Sequence, residues 1–171
     1  RGFDNRLAGE SAEPGLLAEF IARGKLIAQL YEEREFNKAM REVVALADQA
    51  NQYIDERKPW VLAKREGSES EVHGVCSVGI NLFRVLMTYL KPVLPAMAAK
   101  AESFLACSLD WTELENALLD HKLGTFEPLL TRIDSKQVEA MVEASKQGTV
   151  TAGAAPAAAA QANRADTIEF E

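Results

Sequence analysis

The chain is poor in the residues that do covalent chemistry. It holds two histidines and two cysteines, and none of them stands at a metal-ligand spacing: there is no CxxC, no HxxxH and no Cys/His cluster. His73 and His121 lie far apart with no nucleophile motif beside either. The simpler reading of each is a helix-surface or loop histidine, set against an acid–base or metal role. Cys76 and Cys107 are distant from one another in apolar surroundings and read as buried free thiols of a reducing compartment, not as a disulfide. No glycine-rich phosphate loop is present, and Gly74 and Gly79 read as points of close helix packing. No apolar run reaches the length of a membrane span, because Lys91, Pro92 and Pro95 interrupt the best candidate. Nothing resembles a signal peptide, and a start at Arg1 with no Met before it reads as a piece of a longer protein. Positive charge is scarce too. A formal net charge of −7 argues against binding nucleic acid by general phosphate attraction, which needs a broad basic face. Any nucleic-acid role would rest on a few local contacts.

What is present is helical periodicity, over residues 13 to 147, while strand signals are almost absent and no internal repeat is seen. The expectation is an all-α bundle. Phe36, Met40, Val43, Ala47, Ala50 and Ile54 recur at steps of four and three, one face of a single helix. Ahead of them Leu16, Phe20, Ile27, Leu30 and Tyr31 suggest another helix, capped by Ser11 with Pro14 in its first turn. The run from Glu69 to Leu90 is apolar on nearly every face, which predicts a central helix ended by KPVLP. Shorter helices are expected at about 96–107, 112–119 and 135–146, with Thr112 and Asp134 as caps and Gly148 just past the last. The stretch from 148 to 166 reads as a flexible linker, because its TAGAAPAAAAQANRAD lacks any large apolar residue. The closing TIEFE, 167–171, alternates like a strand and reads as the start of a further domain.

The informative stretch is NQYIDERKPWVLAKREG, residues 51 to 67. Asp48, Asn51 and Asp55 are three and four residues apart and form one stripe, on a different flank from the apolar face. That stripe is either a solvated polar face or a recognition surface. Lys58 and Pro59 stop the helix, since proline lacks an N–H and restricts the residue before it. Trp60 therefore stands at a corner, with Lys64 and Arg65 about one turn further on. The indole can plug the core from that corner, or face out as a plate for an unpaired base, a stacking contact of roughly 1–3 kcal/mol per base. An Asp or an Asn carbonyl can accept from the amino group of cytosine, and carboxylates repel a phosphate chain in the wrong register. Residue physics leaves the two readings of Trp60 open.

Three segments carry a resemblance: EFNKAMREVVALADQANQYIDERKPWVLAKREG, VCSVGINLFRVLMTYLKPVLP and HKLGTFEPLLTRIDSKQVEAMVEASK. In this order they resemble the anticodon-binding domain of bacterial methionyl-tRNA synthetases, over nearly all of residues 1 to 147. The KPW corner and the LFRVLMTYLKPVLP helix are specific to that enzyme among its class I relatives. The resemblance implies a helical bundle that receives the CAU anticodon of methionine tRNA, with Trp60 stacked on the first base and Pro59 holding it in place. It also places Asn51 and Asp55 near that pocket and makes Asp48 an acidic position that rejects wrong anticodons. The Ala/Pro linker and TIEFE resemble the bridge to a C-terminal OB-type tRNA-binding and dimerisation domain.

Further implications concern parts that the sequence does not contain. The catalytic Rossmann domain with its HIGH and KMSKS motifs is absent, as is the zinc-bearing insertion. An Asn and an Arg that the family uses, on a helix just upstream of RGFDN, are absent too. ATP and zinc are thus cofactors implied for the parent enzyme and not for this piece, which would perform recognition only. The partners implied are methionine tRNA, the catalytic domain of the same parent chain and, through the C-terminal domain, a second copy in a homodimer. No membrane is implied, and the location is cytoplasmic. The stretch from His121 to Ser145 folds back toward the catalytic domain in the family, so some of its apolar surface is expected to be exposed here. Two other readings compete: a helical protein-interaction or docking module, consistent with the acidic balance, and the helical domain of another class I synthetase, such as one for isoleucine or valine.

Overall fold

A computed structural model describes residues 3–130 and 135–151. Among these the regular elements are α1 Pro14–Ala22, α2 Gly24–Glu32, α3 Phe36–Arg57, α4 Pro59–Leu62, α5 Glu69–Leu90, α6 Pro95–Leu105 and α7 Ser135–Thr151, with a single 3₁₀ turn at Trp111–Glu113. The fold is all-α, and the one ladder contact among the described residues is an isolated antiparallel bridge between Arg6 and Lys122. The chain divides after Leu130 into two compact units, with α7 in the second.

The run that is apolar on nearly every face becomes the axis of the first unit. α1, α3, α4 and α6 all pack on α5. Val72, Val75, Val78, Leu82, Val85 and Tyr89 of α5 join Phe20, Ile27, Val43 and Leu46 in the main core, while Met87 heads a second cluster with Ala98, Ala101, Leu105 and Leu109. Each Val, Leu, Ile, Phe or Met among them contributes about 1.5–3 kcal/mol on full burial. A central helix therefore carries more of the fold than any surface helix. Gly79 serves the closeness expected of it, since a Cβ there would lie 3.1 Å from Ile54 Cδ1.

The apolar run also hides a buried polar seam. Ser77, Asn81, Arg84 and Thr88 are all buried on α5 at steps of four, three and four. Ser77 Oγ accepts from the Ala8 N–H at 2.8 Å, and Asn81 exchanges two bonds with the Leu118 backbone at 2.8 and 3.1 Å. The Arg84 guanidinium donates to the carbonyls of Asn116 at 2.5 Å and Glu113 at 2.6 Å. These bonds explain why the helix expected at 112–119 is absent. Its main-chain groups are engaged by α5 side chains and not by their own i+4 neighbours, so only the turn Trp111–Glu113 remains helical. The cap of that turn is Asp110, which accepts from the Thr112 N–H at 2.8 Å, and not Thr112.

Other boundaries differ from the sequence pattern as well. The helix expected before Glu32 is two, broken at Arg23. Tyr89 meets the backbone at the break: its hydroxyl lies 3.0 Å from the Phe20 carbonyl and 3.2 Å from that of Ile21, which also accepts from a backbone N–H at the helix end. Gly24 leaves room for that hydroxyl, because a Cβ would sit 2.7 Å from it. Burial pushes the Tyr89 pKa up to about 12, eased by a bond from the Gly24 N–H. Pro14 opens α1 as expected, but the cap position is Glu13, not Ser11. α3 is a single helix whose buried line runs through Ala39, Val43, Leu46 and Tyr53. That line is turned by roughly 60° from the expected face, so Phe36 stands 54% exposed. Cys76 is exposed and Cys107 half-buried, so neither is the fully buried thiol expected. α7 runs through Gly148 to Thr151. The Asp134 cap, the rest of the linker and TIEFE lie outside the described residues. Within the His121–Ser145 stretch, Phe126, Leu130, Val138, Met141 and Val142 are exposed.

Candidate functional site

The corner after α3 is built by local chemistry. Pro59 disfavours the right-handed helical conformation for the residue before it, and Lys58 takes the left-handed one instead, at φ 46° and ψ 60°. The Lys58 N–H still donates to the Ile54 carbonyl at 2.9 Å, closing α3. The Lys58 carbonyl then accepts from Val61 at 2.8 Å and Leu62 at 3.1 Å, opening the one-turn α4. Leu62 is buried in the main core, and α4 packs on α5. With Leu62 pointing in, Trp60 and Val61 point out, 53% and 40% exposed. Ser68 braces the following loop, its hydroxyl lying 2.5 Å from the Leu62 carbonyl and 2.7 Å from that of Arg65.

The end of α3 is held as firmly as the corner. Arg57 pairs with Glu13 at the start of α1 and lies over the Tyr53 ring, 5.7 Å from its centre. Tyr53 is buried with its hydroxyl unpartnered, and burial raises its pKa. The helix that carries the polar stripe is therefore anchored from its inner side by Tyr53 and Ile54.

The structure brings Asp48, Asn51 and Asp55 together. All three are exposed, and with Gln52, Glu56 and Lys58 they line one open hollow. Gln52 donates to Glu56 across it at 2.8 Å. Pro59, half-buried, and Trp60 follow Lys58 directly but do not line the hollow. Trp60 makes no ring contact with any described residue. The hollow is acidic and carries amide and carboxylate acceptors, and beside it an indole lies open to solvent. That set can accept bonds from amino groups and can stack a flat ring. Gln52, Glu56 and Lys58 were missed in the sequence, although Gln52 and Glu56 continue the step of four from Asp48.

A second hollow lies between residues 3–12 and the start of α5. Four of its side chains, Phe3, Arg6, His73 and Asp120, are engaged with one another or with the main chain. Phe3 stacks on His73 at 4.2 Å, His73 Nε2 lies 2.7 Å from the Arg6 carbonyl, and Arg6 pairs with Asp120. His121 Nε2 similarly lies 2.7 Å from the Leu105 carbonyl. Both histidines thus have structural partners. Among the described residues no group of three or more His, Cys, Asp or Glu could hold a metal ion, and no helix is long and apolar enough to cross a membrane.

Comparison with known proteins identifies the fold. Residues 7–145 match the family model described as the anticodon binding domain of methionyl tRNA ligase. Among solved structures, the chain resembles the free form of Mycobacterium tuberculosis methionyl-tRNA synthetase with a TM-score of 0.71 and 20% identity, over 78% of this chain and 29% of that one. It resembles the M. tuberculosis synthetase in complex with methionyl-adenylate with a TM-score of 0.70 and 20% identity, over 77% and 28%. The likeness is one of fold, and the chain spans less than a third of the length of these structures.

Proposed function

Because the chain belongs to the family of anticodon-binding domains of methionyl-tRNA ligase, we propose that the Lys58–Trp60 corner and the hollow before it read the CAU anticodon of methionine tRNA. Trp60 is the platform on which the extruded first base stacks, and Pro59 sets its position. Asn51 and Asp55 read the edge of that base, accepting from the amino group of cytosine. Asp48 opposes anticodons that would bring an acceptor or a phosphate against it. The observation that carries the reading is the 53% exposure of an indole with no ring partner, since a tryptophan serving as a core plug would be sealed.

On this reading the chain supplies recognition to a longer cytoplasmic synthetase that joins methionine to tRNA using ATP. The catalytic domain is its partner in that enzyme, ATP and zinc belong there, and dimerisation is the task of a C-terminal domain. The test is a titration of the chain with hairpins carrying CAU and with hairpins in which the triplet is replaced by those of isoleucine or valine tRNA. Preference for CAU is the expected result. Equal binding of every triplet would favour a docking module, and preference for another triplet would favour another class I synthetase.

A further inference from the structure

The polar ridge does not begin at Asp48. Asn37, Arg41 and Val44 precede it at helical spacing, and at 3.6 residues per turn the six residues from Asn37 to Asp55 fall within about 80° of arc. The buried line through Ala39, Val43, Leu46 and Tyr53 lies on the opposite side of α3. All six ridge residues are exposed, Val44 by 59%. Charge is divided along the ridge, with carboxylates at the Trp60 end and a cation toward the start of the helix.

That cation is distinct among its neighbours. α3 carries Lys38, Arg41 and Arg57. Lys38 is paired with Glu35 and Arg57 with Glu13, whereas Arg41 has no ion-pair partner among the described residues. Glu42, next to it in sequence, is taken by Arg23 at 3.3 Å. No acidic residue stands three or four positions from Arg41 on the helix. Arg34, also exposed and without an ion-pair partner among the described residues, lies just ahead of α3. Lys58, Lys64 and Arg65 at the corner have no ion pair among the described residues either, so Arg41 extends the set of unpaired cations from the corner along the ridge.

We propose that the RNA-binding surface continues along α3 beyond the anticodon pocket, with Arg41 contacting a backbone phosphate of the strand whose bases the corner reads and Val44 lying under the intervening sugar. The inference rests on the reading given above. Arg41 is about 10 Å from Asp48 and about 21 Å from Asp55 along the helix axis. It cannot share a base edge with Asn51 or Asp55, so its contact falls on another nucleotide of the strand. A guanidinium there fits a phosphate through paired N–H donors. Such a contact positions the strand and carries no sequence information. It also offsets the repulsion that Asp48 and Asp55 exert on a polyanion.

The test compares the wild-type chain with Arg41→Ala and Arg41→Lys, titrated with matched and mismatched anticodon hairpins at several salt concentrations. One lost phosphate contact predicts that Arg41→Ala weakens both hairpins by the same factor, about three- to tenfold, and lowers the salt slope by about 0.7–0.9. Arg41→Lys retains most of both. Thermal melts of the variants are expected to coincide with wild type, because the side chain is exposed and unpaired. Unchanged affinity in Arg41→Ala, or a loss confined to one flanking base, overturns the inference while leaving anticodon reading intact. A wild-type chain that does not distinguish CAU overturns the reading itself and the inference with it.

Discussion

The two tryptophans occupy opposite situations on one scaffold. Trp111 packs against the main core and lies 4.8 Å from the Tyr89 ring, in a turn capped by Asp110 and next to carbonyls held by Arg84. Trp60 stands two residues after the left-handed Lys58, in a one-turn helix anchored by a single buried leucine, with no ring beside it among the described residues. Around Trp111, side chains from α5 engage the main chain. Around Trp60, the nearby polar groups face solvent. The difference separates a tryptophan that completes the fold from one that the fold displays, and it turns on which neighbour is buried, not on local sequence, since both indoles stand at the opening of a short helical turn.

The comparison can be broken most sharply through Trp111. Trp111→Ala is expected to lower stability by about 2–4 kcal/mol, as for truncating a packed aromatic, measured by urea unfolding. A loss below about 0.5 kcal/mol, the range of surface substitutions, would show that this side is no better built than the other. Gly24→Ala sharpens the same side. The added methyl meets the Tyr89 hydroxyl, and an overpacking loss of about 1–3 kcal/mol is expected, with Tyr89→Phe in the same background restoring part of it.

On the displayed side, Trp60→Ala is expected to leave unfolding within about 0.5 kcal/mol of wild type while weakening a CAU hairpin by about 1–3 kcal/mol. The reverse result, lost stability with unchanged affinity, would return Trp60 to the core. The smallest effect concerns Glu102, which accepts from Lys91 at 2.7 Å and from the Leu109 N–H at 2.8 Å. Those bonds, that from Lys91 first, hold its carboxyl below the usual range. A depressed carboxylate contributes stability that is complete above its ordinary pKa and is lost as pH falls through the folded-state value. Glu102→Gln is therefore expected to cost about 1 kcal/mol or less near neutrality, because the pair is partly solvated. The gap to wild type should close in acid.

Much of the candidate site was legible in the chain. The steps of three and four place Asp48, Asn51 and Asp55 on one stripe, and Lys-Pro ends the helix before Trp60, because both effects act within a turn or two of backbone. Less of the helical detail was legible where distant groups intervene. The first predicted helix parts at Arg23, where Tyr89 meets its backbone, and Asn81 with Arg84 replaces the helix expected at 112–119. The seam that does this was masked by the apolar residues around it, since Ser77, Asn81, Arg84 and Thr88 keep helical spacing but fall in a run that reads as hydrophobic all round. Arg41 was overlooked for another reason: a lone arginine on a solvated face stands out only once the partners of Lys38 and Arg57 are known.

Periodicity and proline thus determined by themselves that the fold is helical, where α3 and α5 run, and where the corner falls, because each follows from steric and hydrogen-bonding rules within a few residues. Only the tertiary structure decided that Trp60 faces solvent while Trp111 packs inward, and that Arg41 is left without a counter-charge. Those outcomes depend on burying Leu62, on Tyr89 meeting the backbone of α1, and on Glu13 and Arg23 reaching Arg57 and Glu42, contacts that exist only after helices have packed.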